Sequence, residues 1–372
     1  MKVILLGAGH IGWAIAHWLH DSGDYEVTVA DRDVNALEKV ADLGVRTEFV
    51  DSSDMLGLTR LLSRFEVVVN ALPYQMAITV ASAAKAAGTH YFDLTEDVHA
   101  TQTIRALAEG ADTVFMPQCG LAPGFIGIAA HELAKRFTRL RDVKMRVGAL
   151  PEFPTNELKY NLTWSVDGLV NEYCHPCEAI RDGQLERVQP LEGLEHFSLD
   201  GVEYEAFNTS GGLGTLCETL AGKVDALDYK SVRYPGHRKL MKFLLQDLRL
   251  KDDQDKLKDL MRAAVPSTMQ DVVLIFITVS GERDGRFIQE AFSRKIFAQQ
   301  TARGLMSAIQ ITTASGICTA VDLFREGRLP RSGFVGQEAI GLEAFLTNRF
   351  GSAYNARVRG DAVSARDVPL AA

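Results

Sequence analysis

The sequence predicts an α/β chain, with a doubly wound parallel sheet at its N-terminus and a second α+β domain built on a largely antiparallel sheet. Three observations carry this. An apolar run, Lys2-Val3-Ile4-Leu5-Leu6, enters a glycine turn and then an Ala-rich helical stretch. The first ~120 residues alternate short apolar runs with helical stretches at a regular beat. After Met116 that beat stops, and β-rich runs with intervening helices replace it. At 372 residues the chain is too long for one ordinary core. We divide it into 1–120, 121–298 and 299–372, the last a helical segment expected to return to the first domain.

The opening run is short enough to be a fully buried strand. Gly7-Ala8-Gly9-His10-Ile11-Gly12 follows it, with helix from Trp13 to His20. Strand, glycine turn and helix in this order suit a bound pyrophosphate, which the helix N-terminus attracts. A second strand, Glu26 to Ala30, ends in Asp31, about 20 residues after the glycines, where the Rossmann fingerprint places an acid for the ribose hydroxyls. Arg32 beside it can accept a 2′-phosphate, so NAD is preferred and NADP is possible. Further strands run from Val45 to Val50, Glu66 to Val69, His90 to Phe92 and Thr113 to Met116, with helices between them. Ligands sit outside the carboxyl ends of such strands. Asp51 is therefore placed at the adenine, Asn70-Ala71-Leu72-Pro73 under the middle of the cofactor, and Asp93 to Asp97 towards the nicotinamide. Helix capping is the competing explanation for Asp51, Asp54 and Asp97.

Pro117 to Gly124 is a Gly/Pro-rich hinge leading into a helix from Phe125 to Phe137. Strands are expected at Lys144–Leu150, Leu158–Trp164, Tyr204–Phe207 and Leu227–Val232. Val272–Val279 and Arg286–Phe297 form a hairpin about Gly281 to Gly285. Thr301 to Arg325 reads as a long helix rich in small residues, and the tail after Ala353 as frayed surface.

Composition excludes several functions. The chain is 47% hydrophobic and 24% charged, with net charge −8 and no basic stripe, which argues against nucleic acid or an anionic membrane. The N-terminal apolar run is too short for a signal peptide, and no stretch reaches the length of a membrane span. Five cysteines suit a reduced, cytoplasmic complement. Cys174-His175-Pro176-Cys177 has no partner motif to complete a zinc site, so no metal is expected. Cys119, in the hinge, is a nucleophile by position and a packing residue by type.

Two stretches of the second domain carry chemistry. Phe207-Asn208-Thr209-Ser210-Gly211-Gly212 is polar and glycine-rich. Tyr229-Lys230-Ser231-Val232-Arg233-Tyr234-Pro235-Gly236-His237 packs phenolic, cationic and imidazole groups together. Arg233 can grip a carboxylate through two parallel hydrogen bonds, with Tyr229, Ser210 and Thr209 as neighbours. His237 is the first candidate for a base and Glu96 the second.

With these segments laid out, the chain resembles the saccharopine dehydrogenase family, and within it the lysine 6-dehydrogenase branch. The matching pieces are GAGHIG with Asp31, NALPYQ at 70–75, CGLAPG at 119–124, FNTSGG at 207–212 and YKSVRYPGH at 229–237. The Cys174–Cys177 segment and Asp93–Asp97 depart from the lysine branch. The resemblance implies an NAD(P)-dependent oxidoreductase acting on an amino-acid C–N bond, most directly oxidative deamination of L-lysine at the ε-carbon, and a homodimer. One alternative is reductive condensation of an amine with a 2-oxo acid, which needs a second carboxylate clamp such as Arg181 or Lys159. Another is a regulator that binds NAD without turnover.

Overall fold

Burial on both faces turns most of the N-terminal apolar runs into the strands of one parallel sheet, whose edge strand at Arg46–Phe49 is largely exposed. A computed structural model describes residues 1–355. Its first half runs β1 (Lys2–Leu6), α1 (His10–Asp21), β2 (Glu26–Asp31), α2 (Val34–Ala41), β3 (Arg46–Phe49) and α3 (Met55–Leu62). It continues with β4 (Val67–Asn70), α4 (Ala77–Ala87), β5 (His90–Asp93), α5 (Val98–Ala108) and β6 (Val114–Met116). The helices begin where the short acids allow. Asp33, Asp54 and Asp97 accept backbone N–H groups at the starts of α2, α3 and α5, so Asp54 and Asp97 are caps. The strands lie in the order β3-β2-β1-β4-β5-β6, all parallel, which is the Rossmann arrangement.

The second half comprises α6 (Phe125–Ala134), β7 (Arg139–Pro151), α7 (Val166–Cys174), β8 (Cys177–Arg181), β9 (Gln184–Val188), β10 (Glu195–Leu199) and β11 (Val202–Asn208). Then come α8 (Leu216–Thr219), β12 (Val224–Arg233), α9 (His237–Lys242), α10 (Gln254–Ala264), β13 (Asp271–Arg283), β14 (Arg286–Phe297), β15 (Gln299–Thr301) and β16 (Gly304–Met306). The chain closes with α11 (Ala308–Arg325), β17 (Gly333–Phe334) and α12 (Leu342–Thr347). The second sheet is ordered β10-β11-β12-β7-β13-β14, with β8 and β9 branching from β12. Its pairs are antiparallel except β12 with β7.

Two expected elements differ. Leu158–Trp164 is not a strand. Lys159 has φ 50°, and the Asn156 side chain both accepts from Tyr160 N and donates to Tyr160 O, turning the chain so that Tyr160 is buried. The long helix starts at Ala308 rather than Thr301, because Ser307 and Gln310 form a capping box there and Thr301 to Gly304 close a small hairpin.

After that hairpin the chain packs on the first half. Gln310 Nε2 on α11 donates to His10 O at 2.9 Å. The Tyr25 hydroxyl donates to Asp322 at 2.5 Å, and Arg349 and Asn348 also bond that buried carboxylate. β17 then pairs in parallel with β6 as a seventh strand. Tyr354, in the expected frayed tail, is fully buried, and the tail from residue 356 lies outside the described residues. Among the described residues no helix is long and apolar enough to cross a membrane.

Candidate active site

A cleft of about 270 Å³ opens where the loops after β1, β4 and β5 meet α7 and the end of β12. The first half contributes Ile11, Ala71 to Tyr74 and Leu94 to Glu96, and the hinge contributes Gly120 to Pro123. Trp164, Ser165, Asp167, Gly168, Glu172, Tyr229, Ser231 and Arg233 form the opposite wall.

On the nucleotide side the glycine turn is shaped by close approaches. A Cβ at Gly12 would overlap the Gly7 carbonyl, whereas one at Gly9 would meet nothing within 4 Å. Gly9 heads α1 without any side-chain cap, and Gly9 and His10 are exposed. The open cradle and uncapped helix end fit a dinucleotide's phosphates. Asp31 accepts from Ala8 N at 2.7 Å and Asp33 N at 2.9 Å, so its carboxylate sits against the glycine turn, with exposed Arg32 beside it. Asp51 is held below the usual carboxylate range by two hydrogen bonds from Ser53, with the Arg32 charge adding. Asn70 accepts from Leu72 N and donates to the Tyr91 hydroxyl, which donates to Asp93 at 2.6 Å. This buried chain fixes the Asn70–Pro73 loop at the cleft.

On the substrate side Tyr229, Ser231 and Arg233 alternate along β12 and so share one face. Arg233 is 2% exposed. Its Nε donates to the Tyr173 hydroxyl at 2.9 Å, its Nη1 to Val232 O, and its guanidinium lies over the Tyr160 ring at 5.2 Å. Among the described residues it makes no ion pair within 4.0 Å, Glu172 acting on it only as a neighbouring charge, and no other Lys or Arg lines the cleft.

Two carboxyls share the cleft with it. Burial raises Glu172 to about 8, against the opposing Arg233 charge and with Glu96 adding. Burial likewise raises Glu96 to about 7, with Asp97 and Asp93 adding. Glu96 stands beside Gly168, one turn before Glu172 on α7. A Cβ at Gly168 would lie 3.2 Å from Glu96 Oε1 and would overlap the Trp164 ring. Asp167, at the same mouth, is paired with Lys258 and Arg262.

His237 is not in the cleft. It is fully buried, with Nδ1 donating to Leu158 O at 2.9 Å and Nε2 accepting from the Tyr173 hydroxyl at 3.1 Å. Burial and the Arg233 charge lower it to about 3, so it is neutral and both ring nitrogens are engaged. Thr209 and Ser210 also stand behind the wall: Thr209 bonds the Ser231 hydroxyl at 2.8 Å, and Ser210 N donates to Glu172 O. Lys159 bonds Pro235 O, and Arg181 lies on the surface near Glu186, so neither lines the cleft. Cys119 is buried, donates to Met116 O and accepts from Gln337, with its thiol pushed far up by burial. Burial raises Cys174 to about 11 and Cys177 to about 12, and both are free thiols. No group of three or more His, Cys, Asp and Glu among the described residues could hold a metal ion.

Sequence reasoning missed Glu172, Tyr173, Tyr160 and Trp164. The available signal was Ser165 with Asp167, a capped helix start ahead of Asn-Glu-Tyr.

The saccharopine dehydrogenase NADP binding domain profile matches residues 3–115, and the saccharopine dehydrogenase C-terminal domain profile matches residues 120–350. The chain belongs to the saccharopine dehydrogenase family. Members of this family are NAD(P)-dependent oxidoreductases acting on CH–NH donors. An apo, histidine-tagged saccharopine dehydrogenase (L-Glu forming) from Saccharomyces cerevisiae has the same fold, with TM-score 0.76, 17% identity, and 95% of this chain and 96% of that one covered. The mitochondrial alpha-aminoadipic semialdehyde synthase of Bos taurus is 21% identical over 350 residues, covering 86% of this chain and 36% of that protein. Its Rattus norvegicus counterpart is 21% identical over 219 residues, covering 54% and 24%. This family member thus spans about a third or less of the length of those relatives.

Proposed function

We propose that this protein oxidises the ε C–N bond of L-lysine with NAD. The observation that carries the reading is Arg233, a buried cation that makes no ion pair within 4.0 Å among the described residues, its acidic neighbour Glu172 being held protonated by burial up to about 8. A buried charge calls for a counter-ion, and a substrate carboxylate entering the cleft supplies one. The other ionisable side chains lining the cleft are acids: Glu96, Asp167, which is already paired with Lys258 and Arg262, and Glu172, which burial keeps protonated up to about 8. One buried cation, with Glu96 left to meet the amine, suits a monocarboxylate with a single amine. It suits poorly a condensation product with three carboxylates, and neither Arg181 nor Lys159 provides a second clamp there.

In this mechanism Arg233 holds the α-carboxylate, with the Tyr229 and Ser231 hydroxyls beside it. Leu94, Leu121, Val147 and Trp164 line the path of the methylene chain. The nicotinamide, when bound, supplies the hydride acceptor. An amine must be neutral to release hydride, and lysine's ordinarily titrates near ~10.4. Glu96 takes that proton, since its raised carboxyl is matched to proton transfer near neutral pH, and it lies on the nucleotide side of the cleft. Water then attacks the imine carbon, releasing ammonia and leaving the semialdehyde.

NAD is preferred because Asp31 stands where a 2′-phosphate would be repelled. The homodimer, the cytoplasmic location and the division at residues 120 and 298 belong to the same proposal. Sedimentation and limited proteolysis read the first and the last.

The test is absorbance at the reduced-nicotinamide band with purified protein, L-lysine and either NAD or NADP at alkaline pH. A lysine-dependent rise supports the reading. Arg233→Ala should then raise KM by about 100-fold or more. Silence with lysine, together with consumption of reduced cofactor by lysine plus 2-oxoglutarate, would replace deamination by condensation. Tight NAD binding without either reaction would make the chain a regulator.

A further inference from the structure

Behind Arg233 lies a chain of buried polar groups that the proposed chemistry leaves unused. Leu158 O accepts from His237 Nδ1 at 2.9 Å, and His237 Nε2 accepts from the Tyr173 hydroxyl at 3.1 Å. The Tyr173 oxygen in turn accepts from Arg233 Nε at 2.9 Å. The directions are forced. A carbonyl only accepts, so Nδ1 carries the imidazole proton and Nε2 must accept. The Tyr173 proton is then committed to the imidazole, which leaves the phenol oxygen's lone pairs to the guanidinium. Each link is enclosed: His237 is fully buried and Tyr173 is 2% exposed. The imidazole also stacks on Phe207 with planes 9° apart and lies 5.2 Å from the Tyr160 ring, so it has one orientation.

We propose that His237 is a positioning residue, which acts through Tyr173 to fix the plane of the Arg233 guanidinium for two parallel hydrogen bonds to the substrate carboxylate. This rests on the reading of Arg233 as the carboxylate grip. Bidentate recognition needs the guanidinium held in one plane, because a rotated fork offers one bond instead of two. The Val232 carbonyl restrains Nη1. The Tyr173 oxygen restrains Nε, and the two together fix the plane.

The experiment compares steady-state kinetics of H237L, H237Q and Y173F with R233A, all as the full chain with cofactor affinity measured alongside. H237Q keeps an oxygen where Nε2 accepts, and H237L does not. The expected result is a KM for the amino acid raised about tenfold in H237L and Y173F, with kcat within about threefold and cofactor affinity unchanged. H237Q should recover most of that loss, and the pH profile of kcat/KM should keep its native limbs in every variant. H237L added to R233A should change KM little further, since the chain acts only through Arg233.

A large fall in kcat with loss of a pH limb in both His237 variants would make His237 a base and overturn the proposal. Native KM in Y173F would overturn it as well, and this variant decides the matter if H237L does not fold. Native KM in R233A would instead fell the carboxylate-grip reading on which the proposal stands, a distinct outcome.

Discussion

Glu172→Gln retains the size of a carboxyl that burial holds up at about 8, against an ordinary value of 4.5. Below the lower value both folded and unfolded chains hold the proton, and the substitution should be nearly neutral. Between 4.5 and about 8 the folded protein keeps a proton that the unfolded chain has released, so native stability falls as pH rises. At about 1.36 kcal/mol per pH unit, the deficit grows to about 5 kcal/mol and is level above the folded-state value. Water entry into the adjoining cleft should trim this to about 2–3 kcal/mol. For 372 residues that corresponds to about 3 °C in Tm, and the full figure to about 6 °C. Scanning calorimetry of both proteins near pH 5 and near pH 8.5 should show a small difference at the lower pH and a more stable Gln variant at the higher. A difference independent of pH, or a Gln variant destabilised at the higher pH, would mean that Glu172 is ionised beside Arg233. Arg233 would then find its counter-ion within the protein rather than in the substrate.

Asp31→Ser should lower the ratio of kcat/KM for NAD over NADP by about tenfold or more, read from paired cofactor titrations, and an unchanged ratio would take Asp31 out of cofactor choice. Gly168→Ala introduces a methyl that meets Trp164 and Glu96, and kcat/KM for the amino acid should fall about tenfold while cofactor affinity holds. Native kinetics there would show that Glu96 is not needed in its present place. Arg349→Ala strips two hydrogen bonds from Asp322, which is 1% exposed, and should destabilise the protein by about 2–3 kcal/mol in chemical denaturation.

The nucleotide half was legible because its inner strands are covered on both faces. Val67 to Asn70 is buried at every position, and such strands appear in sequence as unbroken apolar runs between turn signals. Its caps were legible too, since a short acid before a helix has a local reason to be there. Arg233 and Tyr229 stood out because cationic and phenolic groups crowd one strand end. Glu172 and Tyr173 did not. Helix α7 is buried all round apart from Asp167 and Cys174, so it has no polar stripe to set its period. Strand β9 fails for the opposite reason, being exposed along nearly all its length. The role of His237 could not be read from composition either. An imidazole beside an arginine is a proton carrier when it faces solvent and a fixed acceptor when enclosed, and only long-range packing decides which.

The seventh strand of the nucleotide sheet and the long helix against α1 both come from the far end of the chain. A ribosome therefore delivers the glycine turn, the ribose acid and the first six strands long before the pieces that close their edge and flank. Until those arrive, β6 keeps an unpaired edge and α1 lacks the partner that takes up its apolar side. Cofactor competence should consequently appear late in synthesis, once the residues up to Phe334 have been made. A gene cut at the hinge should yield two halves that need each other to fold.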